Sequence, residues 1–276
     1  MLNSEEASIP ISRSRRLANR IAVVFGAGSV GPGWGNGKAT AVSFAREGAT
    51  VIAVDLNQKA AEETASIIDN EGGKVIALSA DVTHSAAVEK VVSNVIEKFG
   101  RIDLLHNNVG FTRMGGPLEL SEADWYKAID VNLTSIFITC KATLPTMLRQ
   151  RSGVIINISS VAAIRYTGYN YISYYAAKAA VNQFTVGLAL QYARDGIRVN
   201  AIMPGLMDTP HIHQDVLSQY GSVEEMQKAR NALCPMGRMG TAWDVANAAV
   251  FLASDESSYI TGACIPVDGG LTCRAG

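Results

Sequence analysis

Apolar, β-branched runs alternate with helix-length segments along almost the whole chain, and this alternation restricts the fold more than any other feature. The strand-like runs are residues 21–25, 50–55, 74–81, 102–108, 153–159, 197–203 and 264–268. Helical patterning fills Lys38 to Arg46, Gln58 to Glu71, Ala86 to Phe99, Ser121 to Gln150, Ser173 to Arg194 and Ala242 to Ala253. Runs that stay apolar at successive positions suit strands covered on both faces, as strands of parallel sheets are. The intervening segments have the length of crossover helices. Right-handed crossovers then give a doubly wound α/β sheet of seven mainly parallel strands, with helices on both faces and ligand sites at the carboxyl ends of the strands.

A chain of 276 residues suits one large α/β domain, and no repeat, linker or break in composition divides it. Residues 20–276 are expected to form that domain, and the polar residues 1–19 a flexible or draped tail. Arg15-Arg16 is followed by only five apolar residues, 21–25, too few for a secretory signal and right for a first strand. No stretch approaches the roughly 18 apolar residues of a membrane span. Twenty-four basic against 25 acidic residues give a net charge of -1, so neither nucleic acid nor an anionic membrane is the expected partner. A small molecule is. The cysteines at 140, 234, 264 and 273 form no CxxC pair, which suits reduced thiols in a cytoplasmic chain.

The first strand runs into Gly26-Ala27-Gly28-Ser29-Val30-Gly31-Pro32-Gly33-Trp34-Gly35-Asn36-Gly37, and a helical pattern follows. Strand, glycine loop and helix together form a dinucleotide-binding signature, because backbone amides at a helix N-terminus can approach a pyrophosphate. The fold class is thus Rossmann-type. Asp55 closes the next strand, where a carboxylate accepts hydrogen bonds from ribose hydroxyls and repels a 2′-phosphate, favouring NAD over NADP. Lys38 is the one nearby cation that argues the other way.

Tyr174 and Lys178, four residues apart, fall on one helix face. Tyrosine titrates near ~10, and an adjacent ammonium favours the phenolate, bringing it toward the range of a general base.

These pieces, in this order, resemble the short-chain dehydrogenase/reductase family from about Leu17 to Gly270. Asp81-Val82 resembles its adenine contact, Asn107-Asn108-Val109-Gly110 its Asn-Asn-Ala-Gly motif, Asn132 its catalytic asparagine and Ser160 its catalytic serine. Tyr174 and Lys178 match its Tyr-x-x-x-Lys pair, and Pro204-Gly205-Leu206-Met207-Asp208-Thr209 its nicotinamide-carboxamide segment. The resemblance implies cofactor contacts at Gly26, Gly28, Ser29, Gly35, Asn36, Gly37, Asp55, Leu56, Asp81, Val82, Asn108, Gly110, Tyr174, Lys178, Pro204, Gly205, Met207 and Thr209. Two departures stand out: Phe25 replaces the loop's usual threonine, and Val30 to Trp34 is an insertion. Ser159 is a second candidate for the serine. The enoyl-carrier-protein reductases, a divergent branch, also have a longer loop, with six residues between tyrosine and lysine. Tyr171 and Lys178 meet that spacing, but a seven-residue separation lies on one helix face in any case, and Asn132, Ser160 and the Pro-Gly segment favour carbonyl chemistry.

The resemblance therefore implies an NAD-dependent oxidoreductase of secondary alcohols and ketones, with Tyr174 as base, Lys178 tuning it, Ser160 bonding the substrate oxygen and Asn132 holding a relay water. A catalytically silent NAD-binding regulator is the alternative. Residues 206–235 are expected to form a substrate lid, contributing Met207, His211, His213, Tyr220 and Met226. The loop from Ile164 to Ile172 adds Arg165, and its Tyr166, Tyr169 and Tyr171, with Phe111, add aromatic weight, pointing to a cyclic, aromatic or otherwise apolar substrate or equally to packing. His211-x-His213 lacks the partners of a zinc site, so no metal is expected. Relatives assemble as tetramers or dimers through the helices here spanning Ser121 to Gln150 and Ser173 to Arg194, implying a homo-oligomer.

Overall fold

The chain is described by a computed structural model over residues 15–215 and 220–274, with residues 213–215 given as backbone alone. Seven parallel strands form the main sheet: β1 (Ile21–Phe25), β2 (Thr50–Asp55), β3 (Lys74–Ser79), β4 (Leu104–Asn107), β5 (Gly153–Ile158), β6 (Ile197–Pro204) and β9 (Cys264–Val267). Their order is β3-β2-β1-β4-β5-β6-β9. The chain winds outward from β1 to β3, returns to pair β4 with β1, and continues the other way. The crevice above β1 and β4 is therefore the switch point at which doubly wound sheets hold ligands.

Alternation along each strand builds two apolar layers. Ala22 and Val24 of β1 face Val42 and Phe44 of α1 (Asn36–Arg46) and Val245 and Ala249 of α9 (Ala242–Ala253). Ile21, Val23 and Phe25 face α3 (Ser85–Phe99) and α5 (Ser135–Gln150) on the other side. Covering on both faces is why β1 reads as an unbroken apolar run. The remaining helices are α2 (Gln58–Asn70), α4 (Glu122–Ile129), α6 (Ile172–Tyr192), α7 (Pro210–Asp215) and α8 (Val223–Leu233), while β7 (Met207–Asp208) and β8 (Gly240–Thr241) form a small separate pair.

The structure departs from the sequence expectation in several places. β3 ends at Ser79 and β4 spans only Leu104–Asn107, shorter than the apolar runs that contain them. Asp103, just ahead of β4, is buried, accepting from the Ile21 amide at 2.8 Å and from the Arg101 guanidinium. The helix expected from Ser121 to Gln150 is broken by a π-helical turn, Asp130–Thr134, that separates α4 from α5. Such turns recur at functional sites because they redirect side chains. Leu17 is fully buried and Arg16 pairs with Glu47 at 2.6 Å, so the chain is fastened to the domain before residue 20. Residues 1–14 of the expected tail lie outside the described residues.

A buried polar chain crosses the sheet. The Thr139 hydroxyl donates to Asn107 Oδ1 at 2.8 Å, Asn107 Nδ2 to Asn157 Oδ1 at 2.9 Å, and Asn157 Nδ2 to Thr185 Oγ1 at 3.0 Å. Links that are all hydrogen-bonded add specificity without leaving a buried polar group unpaired. Here they set the register of α6 against β5.

Candidate active site

The glycine loop is shaped by close approaches. Gly26 has φ +77°, and a Cβ there would lie 3.1 Å from the Val109 amide nitrogen. A Cβ on Gly37 would collide with the Gly26 carbonyl, so this contact admits only glycine. Phe25 is buried in the core. The glycine loop is tied to the loop after β4 by Asn108, whose Nδ2 donates to the Gly26 carbonyl at 2.9 Å. The Val30–Trp34 insertion is pinned by Trp34, whose ring lies 4.6 Å from that of Trp243 on α9.

The α1 N-terminus has no side-chain cap and no acidic residue in its first turn. Ser29 Oγ and Asn36 Oδ1 beside it are buried with no protein hydrogen-bond partner among the described residues. Uncapped amides and orphaned polar atoms at a helix N-terminus fit a pyrophosphate. Asp55 accepts from the Gly28 amide at 2.9 Å and the Asn57 amide at 3.0 Å, and its carboxylate keeps lone pairs for ribose hydroxyls. Leu56 next to it stands 70% exposed, an apolar platform for an adenosine face. Asp81 is engaged by Thr83 and His84 at the start of α3, with Val82 buried. These residues together fit a nicotinamide dinucleotide.

Lys178 is buried on α6. Its ammonium donates to the Ile158 carbonyl at 2.9 Å and lies 5.5 Å from the centroid of the Tyr174 ring. Burial pulls its pKa down from 10.5 to about 8, which leaves it mostly protonated at neutral pH. The two serine candidates separate clearly. Ser159 is buried and donates to the Lys178 carbonyl at 3.0 Å, whereas Ser160 Oγ accepts from the Ala162 amide at 3.1 Å and so keeps its own proton to donate. Tyr171 hydrogen-bonds Thr167, and burial raises its phenol above the ordinary value. Its ring packs on Tyr174 at 5.2 Å. Asn132, inside the π-helical turn, donates to the Phe111 and Ala128 carbonyls at 2.7 and 2.8 Å and accepts from the Phe111 amide at 3.2 Å. Its side chain thus fastens the β4 loop to the helix. Gly110 lies between Asn132 and Lys178, and a Cβ on it would be 3.6 and 3.9 Å from their polar atoms.

One cavity joins Asn36, Ser160, Tyr174, Pro204, Gly205, Met207 and Thr209. His211 and Ile212 line it from the lid, as do Tyr169 and Tyr171 from the loop before α6. Tyr175 is structural, donating to the Tyr169 carbonyl at 3.0 Å, and Tyr166 faces solvent. Phe111 and Arg165 lie outside the lining, as does Met226, which is fully buried beneath Tyr169 and Tyr171. The lid folds as β7, α7 and α8, with residues 216–219 and the side chain of His213 outside the described residues. Among the described residues no three His, Cys, Asp or Glu side chains cluster as metal ligands, and no helix is long and apolar enough to cross a membrane. Sequence reasoning missed Arg230, buried on α8 and lining the cavity, for lack of any motif around it.

The family model described as Enoyl-(Acyl carrier protein) reductase matches residues 32–272. The chain is 39% identical over 256 residues to the 3-oxoacyl-[acyl-carrier-protein] reductase FabG of Thermotoga maritima, covering 93% of this chain and 99% of that protein. It is also 39% identical over 260 residues to the 2,5-dichloro-2,5-cyclohexadiene-1,4-diol dehydrogenase LinX of Sphingobium indicum, covering 93% and 98%. A crystal structure described as a short-chain dehydrogenase/reductase from Burkholderia xenovorans superposes with a TM-score of 0.91 at 45% identity, over 95% of this chain and 99% of that one.

Proposed function

The chain belongs to the short-chain dehydrogenase/reductase family, an oxidoreductase acting on hydroxyl and keto groups with a nicotinamide cofactor, and from that premise we propose that it is an NAD-dependent dehydrogenase of secondary alcohols. The observation that carries this reading is Lys178, a buried ammonium 5.5 Å from the Tyr174 ring in the cavity that also holds Ser160. The bound nicotinamide supplies the acceptor for the hydride that leaves the carbinol carbon. Tyr174, as phenolate, takes the proton of the substrate hydroxyl, and the adjacent ammonium favours that ionised form. Ser160 donates to the substrate oxygen and opposes its drift as charge develops. Asn132 holds the Phe111 backbone in place, and a relay water beside Lys178 passes the proton to solvent. Tyr171, spent on Thr167, is a poor base, which favours this chemistry over enoyl reduction.

Asp55 supports NAD over NADP. Lys38, which argued otherwise in the sequence, is 8% exposed, lies 3.8 Å from Glu63 and stands over the Trp34 ring, turned to partners of its own. The aromatic and aliphatic lining supports a ring-bearing or otherwise apolar substrate. A silent NAD-binding regulator is disfavoured because a buried lysine with no carboxylate partner among the described residues is costly to keep without a use.

A panel of cyclic and acyclic secondary alcohols, followed at the nicotinamide absorbance with NAD and with NADP, tests the reading. Wild type should turn over part of the panel faster with NAD, and Tyr174→Phe should lose at least about 1,000-fold in kcat, within the range of general-base catalysis, with NAD binding intact. Undiminished turnover in that variant would sink the assignment; NAD binding with no turnover by wild type would favour the regulator.

A further inference from the structure

Arg230 is 2% exposed and among the largest fully buried side chains of the molecule, yet it lines the cavity of Ser160 and Tyr174. Its Nε donates to Met239 Sδ at 3.2 Å and its Nη1 to the Tyr169 hydroxyl at 2.7 Å. That hydroxyl is shared with Tyr220 at 2.9 Å, and the guanidinium lies 5.8 Å from the Tyr169 ring centroid. A thioether sulfur and a neutral phenol do not balance a buried positive charge. Among the described residues no carboxylate pairs with Arg230, and no Asp or Glu lines the cavity. A guanidinium has five N–H donors, and these contacts take two. Nη2 and the second Nη1 hydrogen are not used by these contacts, and a planar guanidinium with donors to spare suits two oxygens of one carboxylate.

We propose that this cavity takes a hydroxy or oxo acid and that Arg230 is the anchor for its carboxylate. The proposal rests on the dehydrogenase reading of the same cavity and names its substrate class. Rings set the spacing: Tyr174 to Tyr171 is 5.2 Å and Tyr171 to Tyr169 is 5.8 Å between centroids, with Arg230 one step further. The acid group then faces Arg230 and the reacting carbon Tyr174, with the apolar part of the substrate between them along those rings. The acyl chain of a carrier-protein thioester is neutral, and its one anionic group, the phosphodiester, lies a whole pantetheine arm away from the reacting carbon, so it leaves the charge inside the cavity unmatched and is the disfavoured substrate.

The test uses full-length wild type, R230M and R230K with NAD, and (ω−1)-hydroxycarboxylic acids of four to eight carbons against their methyl esters. Wild type should prefer the acids. R230M should lose about 100-fold in kcat/KM for the acids, chiefly through KM, with the esters unchanged or improved; R230K should fall between. A turnover-free readout runs in parallel, in which butyrate, hexanoate and octanoate, but not the alcohols of equal length, raise the melting temperature of wild type and not of R230M. Equal use of acids and esters by wild type, or equal loss of both in R230M with a fall in melting temperature, would overturn the proposal and leave Arg230 as a lid anchor. Carboxylate protection without oxidation of any substrate would keep the anion site and remove the dehydrogenase reading. Ester oxidation without carboxylate protection would do the reverse.

Discussion

Lys178 and Tyr174 show how much a residue's chemistry depends on what lies around it. Their spacing is plain in the sequence, but the burial that pulls the lysine from 10.5 to about 8 is a tertiary fact. Because the native value lies below the unfolded one, the unfolded chain binds more protons between those limits. The cost is absent above 10.5, grows as pH falls, and is complete below about 8. Lys178→Met should therefore raise stability by roughly 1–3 kcal/mol at pH 7 while abolishing turnover, with the gain shrinking by pH 9.5. Melting curves of both proteins across that range check it; a variant less stable than wild type at pH 7 would contradict the account. The sequence favoured Ser160 and kept Ser159 as a second candidate. The structure separates them, because Ser159 is consumed by the Lys178 carbonyl while Ser160 accepts from the Ala162 amide and keeps its proton.

Strands and crossover helices were legible at the scale of elements, because local periodicity reports which faces are covered. β1, β2 and α9 have the bounds the sequence predicts. The π-helical turn at Asp130–Thr134 was not legible, since its residues continue the helical pattern and the hydrogen bonds of Asn132 to the Phe111 backbone that fasten it are tertiary. The insertion in the glycine loop is similar: its length was visible, its mooring on Trp243 was not. Trp34→Ala should lower stability by about 1–2 kcal/mol, the aromatic contact plus part of its burial. It should also weaken NAD binding severalfold with little change in kcat, as calorimetric titration and steady-state kinetics would show. Unchanged cofactor affinity would mean the insertion does not support the phosphate loop.

For the whole molecule, α6 carries an expectation of assembly. Ser173, Ala177, Val181, Thr185 and Ala189 bury one stripe at every fourth residue, while Leu190 stands 72% exposed and a Cβ on Gly187 would meet nothing. A helix apolar on most sides that buries one stripe calls for a partner on the other. Phe137 on α5 is likewise 51% exposed. Sedimentation should give a dimer or tetramer of the 29.3 kDa chain, and Leu190→Glu should dissociate it; a monomer in wild type would refute assembly. What the sequence determined by itself is the winding of the sheet, the position of the glycine loop and the order of the catalytic candidates, because these follow from periodicity and short-range spacing. Tertiary structure alone decided that α8 brings Arg230 into the cavity of Tyr174, that Lys38 turns to Glu63 and Trp34, and that Tyr171 is bound to Thr167. Charge and hydrogen-bond pairing depend on neighbours distant in the chain, and no local pattern encodes which neighbours those will be.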